Sequence, residues 1–361
     1  MQSPSFTFLF HFNADLGRLS MNKNTRLSLI SIILFALLLV FSGFKISQSL
    51  SPEPAKQPNK TIWSVDWSTN GKWIATGGVD STVRILNPVD LSVHKRFKLN
   101  SWIHVVKWHP NNNLLAIATL ENHIILLDVA TGSMKQLADN GGSRAIGWNH
   151  DGEMLAVGDI DGGVSIWNKD GKLLKSISYK YPDDQVGRAF LSLDWHPSKN
   201  IFVANNFQIN VYDDSGNRIR TMQHRNPKAI MLSADWHPSG SYFVIGDYGY
   251  NEDAENVPSL LHFWTENGEY MRAVEGSKAE YRNIAWDRSG KRLATASDKL
   301  RIWDEKGKLL SEAPNKSGSK LWGIDWNAQN DAIAVSNTNA SVITFTGLTS
   351  KVSVLKEKPL Y

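Results

Sequence analysis

Residues 64–78 read SVDWSTNGKWIATGG, and residues 233–247 read SADWHPSGSYFVIGD. In each, an apolar run ends in Trp, a polar turn follows, and a second apolar run begins. The same pattern recurs at Trp108 (VVKWHPNNNLLAIAT), Trp148 (AIGWNHDGEMLAVGD), Trp195 (SLDWHPSKNIFVANN), Trp286 (NIAWDRSGKRLATAS) and Trp326 (GIDWNAQNDAIAVSN). With Trp67 and Trp236 these anchors number seven, at spacings of 41, 40, 47, 41, 50 and 40 residues. A period near 40 with strand–turn–strand content marks a repeat architecture. After each anchor, short β-rich segments such as Thr82–Leu86, Val164–Trp167 and Leu300–Trp303 are divided by Gly, Asn, Asp and Pro turns, which are hairpin signals. Four short strands per unit, seven units and no helical periodicity predict an all-β fold, a seven-bladed β-propeller of four-stranded antiparallel blades.

The sixth unit, WDRSGKRLATASDKLRIWD (residues 286–304), closes on Trp303-Asp304. On that dipeptide and the repeat, the chain resembles the WD-repeat β-propeller family over about residues 60–357. The resemblance is divergent. The dipeptide decays to Leu86-Asn87, Leu127-Asp128, Trp167-Asn168, Tyr212-Asp213, Trp264-Thr265 and Phe345-Thr346, and no unit carries the family's opening Gly-His pair. The resemblance therefore implies that the hydrogen-bonded tetrad built on that pair is missing and that packing holds the blades. Val65, Val106, Ile146, Leu193, Ala234, Ile284 and Ile324 stand two residues before the anchors, on the same strand face. Runs such as Leu114–Ala118 and Tyr242–Ile245 are apolar on both faces, as strands between stacked sheets require. Each anchor is expected to fill a wedge between blades and to carry no chemistry. The family usually closes its ring by lending an N-terminal strand to the last blade. Here Ser51–Pro58 holds three prolines and is a poor strand. Blade seven is expected to build all four strands from its own repeat, ending with Val352–Leu355.

The chain has no cysteine, which excludes disulfides, Cys-ligated zinc and a thiol nucleophile. Its formal charge of +4 lies mostly in residues 1–57, so the propeller is near neutral and gives no electrostatic footprint for nucleic acid. Residues 27–44, LSLISIILFALLLVFSGF, are uncharged and long enough to span a bilayer as a helix. The expected organisation is an N-terminal tail (1–26), a transmembrane signal-anchor helix (27–44), a Pro-rich linker (45–60) and the propeller (61–357). Arg18, Lys23 and Arg26 precede the apolar run, and the slight Lys/Arg excess on that side places the propeller on the non-cytoplasmic side, periplasmic or extracellular. The alternative is a signal peptide cleaved near Ser42 and Gly43, releasing a secreted propeller. Met21 can also serve as the start, in which case residues 1–20 are not translated.

Trp63, Trp102 and Trp322 open the first strands of units one, two and seven, which are neighbours in a closed ring. The resemblance implies that such positions lie on the face of the inter-blade loops, which commonly binds partners. Flanking units carry Arg144 and Arg282 there, with His104 and Tyr281 nearby, whereas units four and five carry Leu191 and Leu232. Trp, Tyr and Arg dominate interface energetics, so these seven aromatic, His and Arg residues are expected to form an arc that docks a protein partner. The plainer alternative is that the tryptophans cap the inter-blade wedge, since they share the anchors' strand face. Insertions at Lys180–Arg188 and Asp247–Pro258 are expected on the same side. Asp247, Glu252, Asp253 and Glu255 lack the spacing of a calcium loop and read as a solvated acidic loop. Asp66, Asp194, Asp235 and Asp325 each precede an anchor and are expected to accept N–H groups rather than hold a cation. His109, His196 and His237 follow anchors in separate units, so they make no zinc triad.

No HExxH, GxSxG, phosphate-cradling or dinucleotide motif is present. The expected function is a non-catalytic, membrane-tethered protein-interaction scaffold with no cofactor, no metal and no nucleic-acid partner. Two rivals stand beside it. One is a hydrolase or lyase at the central channel, using the Asp set with Arg144 and Arg282. The other is a carbohydrate or small-ligand binder that stacks its ligand on the tryptophans.

Overall fold

The computed structural model describes residues 60–360, apart from 112, 122, 139–143, 179–188, 206–207, 225–228, 249–257, 278, 314–317 and 349–351. The expected helix at 27–44, the 180–188 insertion and most of the 247–258 insertion lie outside the described residues. Among the described residues no helix is long and apolar enough to cross a membrane.

Local chemistry cuts the chain into strands. Asp304 accepts the N–H groups of Lys306 and Lys308 (2.9 and 2.8 Å) while Gly307 takes φ 84°, which reverses the chain within one turn. Asp213 does the same with Ser215 and Asn217 around Gly216. The described residues form 28 strands, β1–β28 in chain order, in seven antiparallel four-stranded sheets of consecutive strands. The first and innermost strands are β1 (Ile62–Trp67), β5 (Ile103–Trp108), β9 (Ile146–Trp148), β13 (Ser192–Trp195), β17 (Met231–Trp236), β21 (Asn283–Trp286) and β25 (Leu321–Trp326). The outermost strands β12 (Leu173–Ile177), β16 (Arg218–Met222), β24 (Leu309–Ala313) and β28 (Ser353–Pro359) are largely exposed, and in β4 (Val93–Lys98) Lys95, Arg96 and Lys98 charge the sheet edge, which discourages pairing with another chain.

Each of seven apolar clusters draws on two consecutive blades and contains the anchor Trp of the later one. Trp195, for example, packs with Ile166 of blade three and Phe202 of blade four. Trp67 of blade one packs with Ala332, Ala334 and Val342 of blade seven, so the ring is closed. Blade seven supplies β25 to β28 (Ser353–Pro359) from its own repeat, as the prolines before blade one lead one to expect. The anchors are only 4–9% exposed, in keeping with their role as wedges.

A second set of inter-blade contacts lies beyond the ends of the innermost strands. His109, His196 and His237 donate Nε2–H to the carbonyls of Gly152, Gly240 and Gly290 in the next blade (2.9, 3.1 and 2.8 Å). A carbonyl only accepts, so Nε2 carries the proton. Nδ1 then accepts a turn N–H, from Asn111, Ser198 and Ser239 respectively. Burial holds His109 and His196 below the ordinary imidazole value, consistent with neutral rings. These three histidines are therefore pegs between blades, each at its own junction.

Candidate docking site at the channel mouth

Strand alternation would put Trp63 and Trp322 on the same face as their anchors. The registers differ. In β1, Ile62 faces Gly78 and Ser64 faces Gly77, which leaves Trp63 as an extra residue. The same irregularity isolates His104 in β5, Leu232 in β17, and Trp322 with Gly323 in β25. A β-bulge re-aims the residue it leaves unpaired. All four of these side chains line one central cavity of about 150 Å³. The alternative in which the tryptophans cap the wedge thus does not describe Trp63 or Trp322.

At the mouth, Trp63 stands edge-on to Trp102 (5.7 Å between centroids) and tilted against Trp322 (6.1 Å) and His104 (4.9 Å). Arg282 lies over the Trp322 ring at 3.8 Å and Arg144 lies beside it at 5.0 Å. Six of the seven expected arc residues are therefore brought together. Trp102 is the most open of them, 42% exposed at the rim. Tyr281 is not part of this group. It is fully buried with Ile284, Trp286 and Trp303, because neighbouring residues of an extended chain point to opposite faces and Arg282 takes the channel side.

Below the mouth, the four aspartates do what repeats demand. Asp325, Asp66, Asp194 and Asp235 accept the backbone N–H of Trp67, Trp108, Trp236 and Trp286 in the following blade (2.6, 2.6, 2.7 and 2.6 Å). Blades two, three and six have Lys107, Gly147 and Ala285 instead. There the next anchor turns its indole, and Trp148, Trp195 and Trp326 donate Nε1–H to the carbonyls of those same residues (3.3, 2.8 and 2.9 Å). Every blade junction thus has one of two polar links, set by the residue before the anchor. Among the described residues the indole N–H groups of Trp108, Trp236 and Trp286 find no acceptor.

Lys107, which occupies the aspartate position of blade two, bonds Asp66 at 3.1 Å. The charges of Asp66, Asp325 and Asp194 hold its ammonium well above the ordinary lysine range against the opposing effect of burial. Its place directly before Trp108, where four other blades carry an aspartate, is the signal that marks it in the sequence. One cation cannot neutralise four carboxylates. Burial raises Asp194 to about 6, and burial together with the Asp194 charge raises Asp235 well above the usual range. Burial and the Asp66 charge raise Asp325 to about 7. The folded state therefore holds more protons on these acids than the unfolded chain. Their contribution is full below pH ~3.8 and is lost as pH rises through 6 to 7 and beyond. Asp235→Asn keeps an acceptor for Trp286 and gives Asp194 a permanent donor. It is expected to stabilise the protein by ~1 kcal/mol or more at pH 8 and by much less at pH 4, measured by urea denaturation. A gain independent of pH would contradict the raised carboxyl values.

In blade five, Asp247 is buried and its Oδ1 accepts the Leu260 N–H (2.7 Å). Its Oδ2 accepts His262 Nε2–H (3.0 Å) and lies 3.3 Å from His224 Nε2. Burial favours the neutral acid, but the donors from His224, His262 and Leu260 outweigh it and hold Asp247 below its ordinary value. Asp247 is thus a gripped strand-end residue rather than a member of a solvated acidic loop.

A family model described as "WD domain, G-beta repeat" matches residues 54–87 and 132–168. The second match runs from the outer strand of blade two into the third strand of blade three, so the sequence repeat is offset from the blade by one strand. Set on seven closed four-stranded sheets, this decides the family. The chain is a WD-repeat propeller. It is similar to the target of rapamycin complex subunit LST8 of Bos taurus, 28% identical over 133 residues, 36% of this chain and 40% of the bovine protein. It is similar to WD repeat-containing protein 35 of Rattus norvegicus, 24% identical over 196 residues, 48% of this chain and 16% of that protein. It is also similar to the intraflagellar transport protein 122 homolog of Danio rerio, 26% identical over 147 residues, 41% of this chain and 12% of that protein. The chain spans less than half the length of these curated relatives. Within this WD-repeat propeller a polar pair inside the blade is present despite the missing Gly-His pairs: in blade six the Trp303 indole donates to Thr295 Oγ1 (3.1 Å).

Proposed function

We propose that this WD-repeat propeller is a non-catalytic scaffold that docks a protein partner on the Trp63–Trp102–Trp322 mouth, tethered to a membrane by residues 27–44 with the propeller on the non-cytoplasmic side. The observation that carries the reading is the set of bulges, which turn large aromatics away from the core and gather them around one opening. Interface energy concentrates in Trp and Arg that sit centrally, with a rim that excludes water. The channel carboxylates that a catalytic reading would recruit are instead engaged by anchor N–H groups. Relatives named as a complex subunit and a transport protein fit a scaffold role.

The test is quantitative co-precipitation of the full-length chain from the membrane fraction, where it is expected to sediment. Trp102→Ala removes the most open aromatic. Recovery of the specific partners is expected to fall by about tenfold or more, with the melting temperature little changed. Equal recovery from wild type and variant would overturn the docking reading.

A further inference from the structure

Arg144 and Arg282 share one indole, yet their surroundings differ. Arg282 is ion-paired with Glu280, which is buried and also lies 3.5 Å from Lys320. Arg144 is half-buried, just before β9, and among the described residues it has no carboxylate or hydrogen-bond partner. Its guanidinium lies over the face of Trp322. A guanidinium withdrawn from water without a counter-ion is disfavoured. Burial accordingly lowers Arg144, and burial together with the Arg144 charge lowers Arg282 to about 10. Among the described residues the buried Trp322 indole N–H also has no acceptor. The mouth is thus rich in donors and positive charge and short of acceptors, in a propeller that is otherwise near neutral.

Resting on the docking reading above, we propose that Arg144 and Arg282 clamp a single carboxylate, an Asp or Glu side chain of the docked protein segment, over the face of Trp322. A planar guanidinium recognises a carboxylate through paired N–H donors, and the bond is stronger where water is excluded. The occupant is a monoanion rather than a phosphate. Arg144, Arg282 and Lys320 outnumber Glu280 at the mouth, but Asp66, Asp194, Asp235 and Asp325 lie below it around one lysine. Those of the four that keep their charge repel a dianion seated at the mouth more strongly than a carboxylate. Trp63 and Trp102 flank the clamp and cover the apolar part of the segment. Left unpaired among the described residues, Arg144 is a stability cost of the free protein that the partner's carboxylate relieves.

The experiment pans a phage-displayed random dodecapeptide library on the full-length chain and measures the selected peptides by fluorescence anisotropy. The proteins compared are wild type, Arg144→Ala, Arg144→Lys and Trp102→Ala. Selected peptides are expected to share an Asp or Glu. Changing that residue to its amide, or Arg144 to Ala, should each weaken binding about tenfold or more, and the two changes together should cost little more than either alone. Arg144→Lys should fall between. The melting temperature of Arg144→Ala should match or exceed wild type, because an unpaired cation has been removed. Acid-free peptides, or peptides bound equally by Arg144→Ala, would overturn the clamp. Binding lost in Trp102→Ala but kept in Arg144→Ala would leave docking standing and remove the clamp alone. Indifference to both variants, or no selected peptide, would remove both readings. A phosphoserine version binding more tightly than the Glu peptide would overturn the choice of a monoanion.

Discussion

Replacing Trp195 by Ala is expected to lower the unfolding free energy by about 3–5 kcal/mol. Trp195 is 4% exposed and joins the side chains of blades three and four into one cluster. Its removal opens a cavity at a junction that closely packed sheets cannot refill. The Phe replacement separates packing from polar linkage. Trp195→Phe leaves the buried Gly147 carbonyl without its 2.8 Å donor, a loss of about 1–3 kcal/mol beyond the change in volume. Trp236→Phe removes an indole N–H that has no acceptor, while its backbone N–H keeps Asp194. Urea denaturation at one pH should therefore show Trp195→Phe as the costlier variant by ~1 kcal/mol or more. Equal costs would mean that the two kinds of junction do not differ in the way their hydrogen bonds indicate.

The two kinds of junction also mark what could be read from residues alone. The anchors were legible because a wedge residue must recur wherever blades meet, and a large aromatic stands out. The role of Asp66, Asp194, Asp235 and Asp325 was legible because each precedes an anchor and repeats must satisfy the same N–H. The complementary rule was not, since Lys107, Gly147 and Ala285 look like unrelated exceptions until the indole of the next blade is seen to turn. The direction of Trp63 and Trp322 was beyond alternation, because a bulge adds one residue and reverses the parity without a compositional mark of its own. The bulges turn Trp63, His104 and Trp322 toward the channel, where Trp102, Arg144 and Arg282 join them, and plain alternation leaves Tyr281 in the wedge. His224, Asp247 and His262 come from three separate segments of blade five and its approach, and no spacing rule joins them. The 27–44 segment stands on its hydrophobic length alone.

Gly290→Ala should be the most damaging small change outside the wedges, at ~2–4 kcal/mol. Gly290 sits at φ 70°, where an L-residue costs about 1–2 kcal/mol. An added Cβ would also stand 2.4 Å from His237 Nε2, the atom that donates to the Gly290 carbonyl. The ring must move, and both the inter-blade hydrogen bond and the Ser239 N–H to Nδ1 contact weaken with it. Gly71 is the matched control. It occupies the same turn position in blade one, at φ 74°, but its Cβ would meet Gln329 at an ordinary 3.5 Å. Gly71→Ala is expected to cost only the conformational part, ~1–2 kcal/mol. Gly240→Ala, whose Cβ would lie 2.3 Å from His196 Nε2, should behave like Gly290→Ala. Chemical denaturation of the three variants reads the comparison directly. If Gly71→Ala loses as much as the other two, the histidines add nothing to holding the blades, and the penalty is backbone strain alone. If the ordering holds, the ring is fastened at the turn side by imidazoles as well as by indoles along its wedges, which leaves the opposite mouth free to present its aromatics without bearing the closure of the fold.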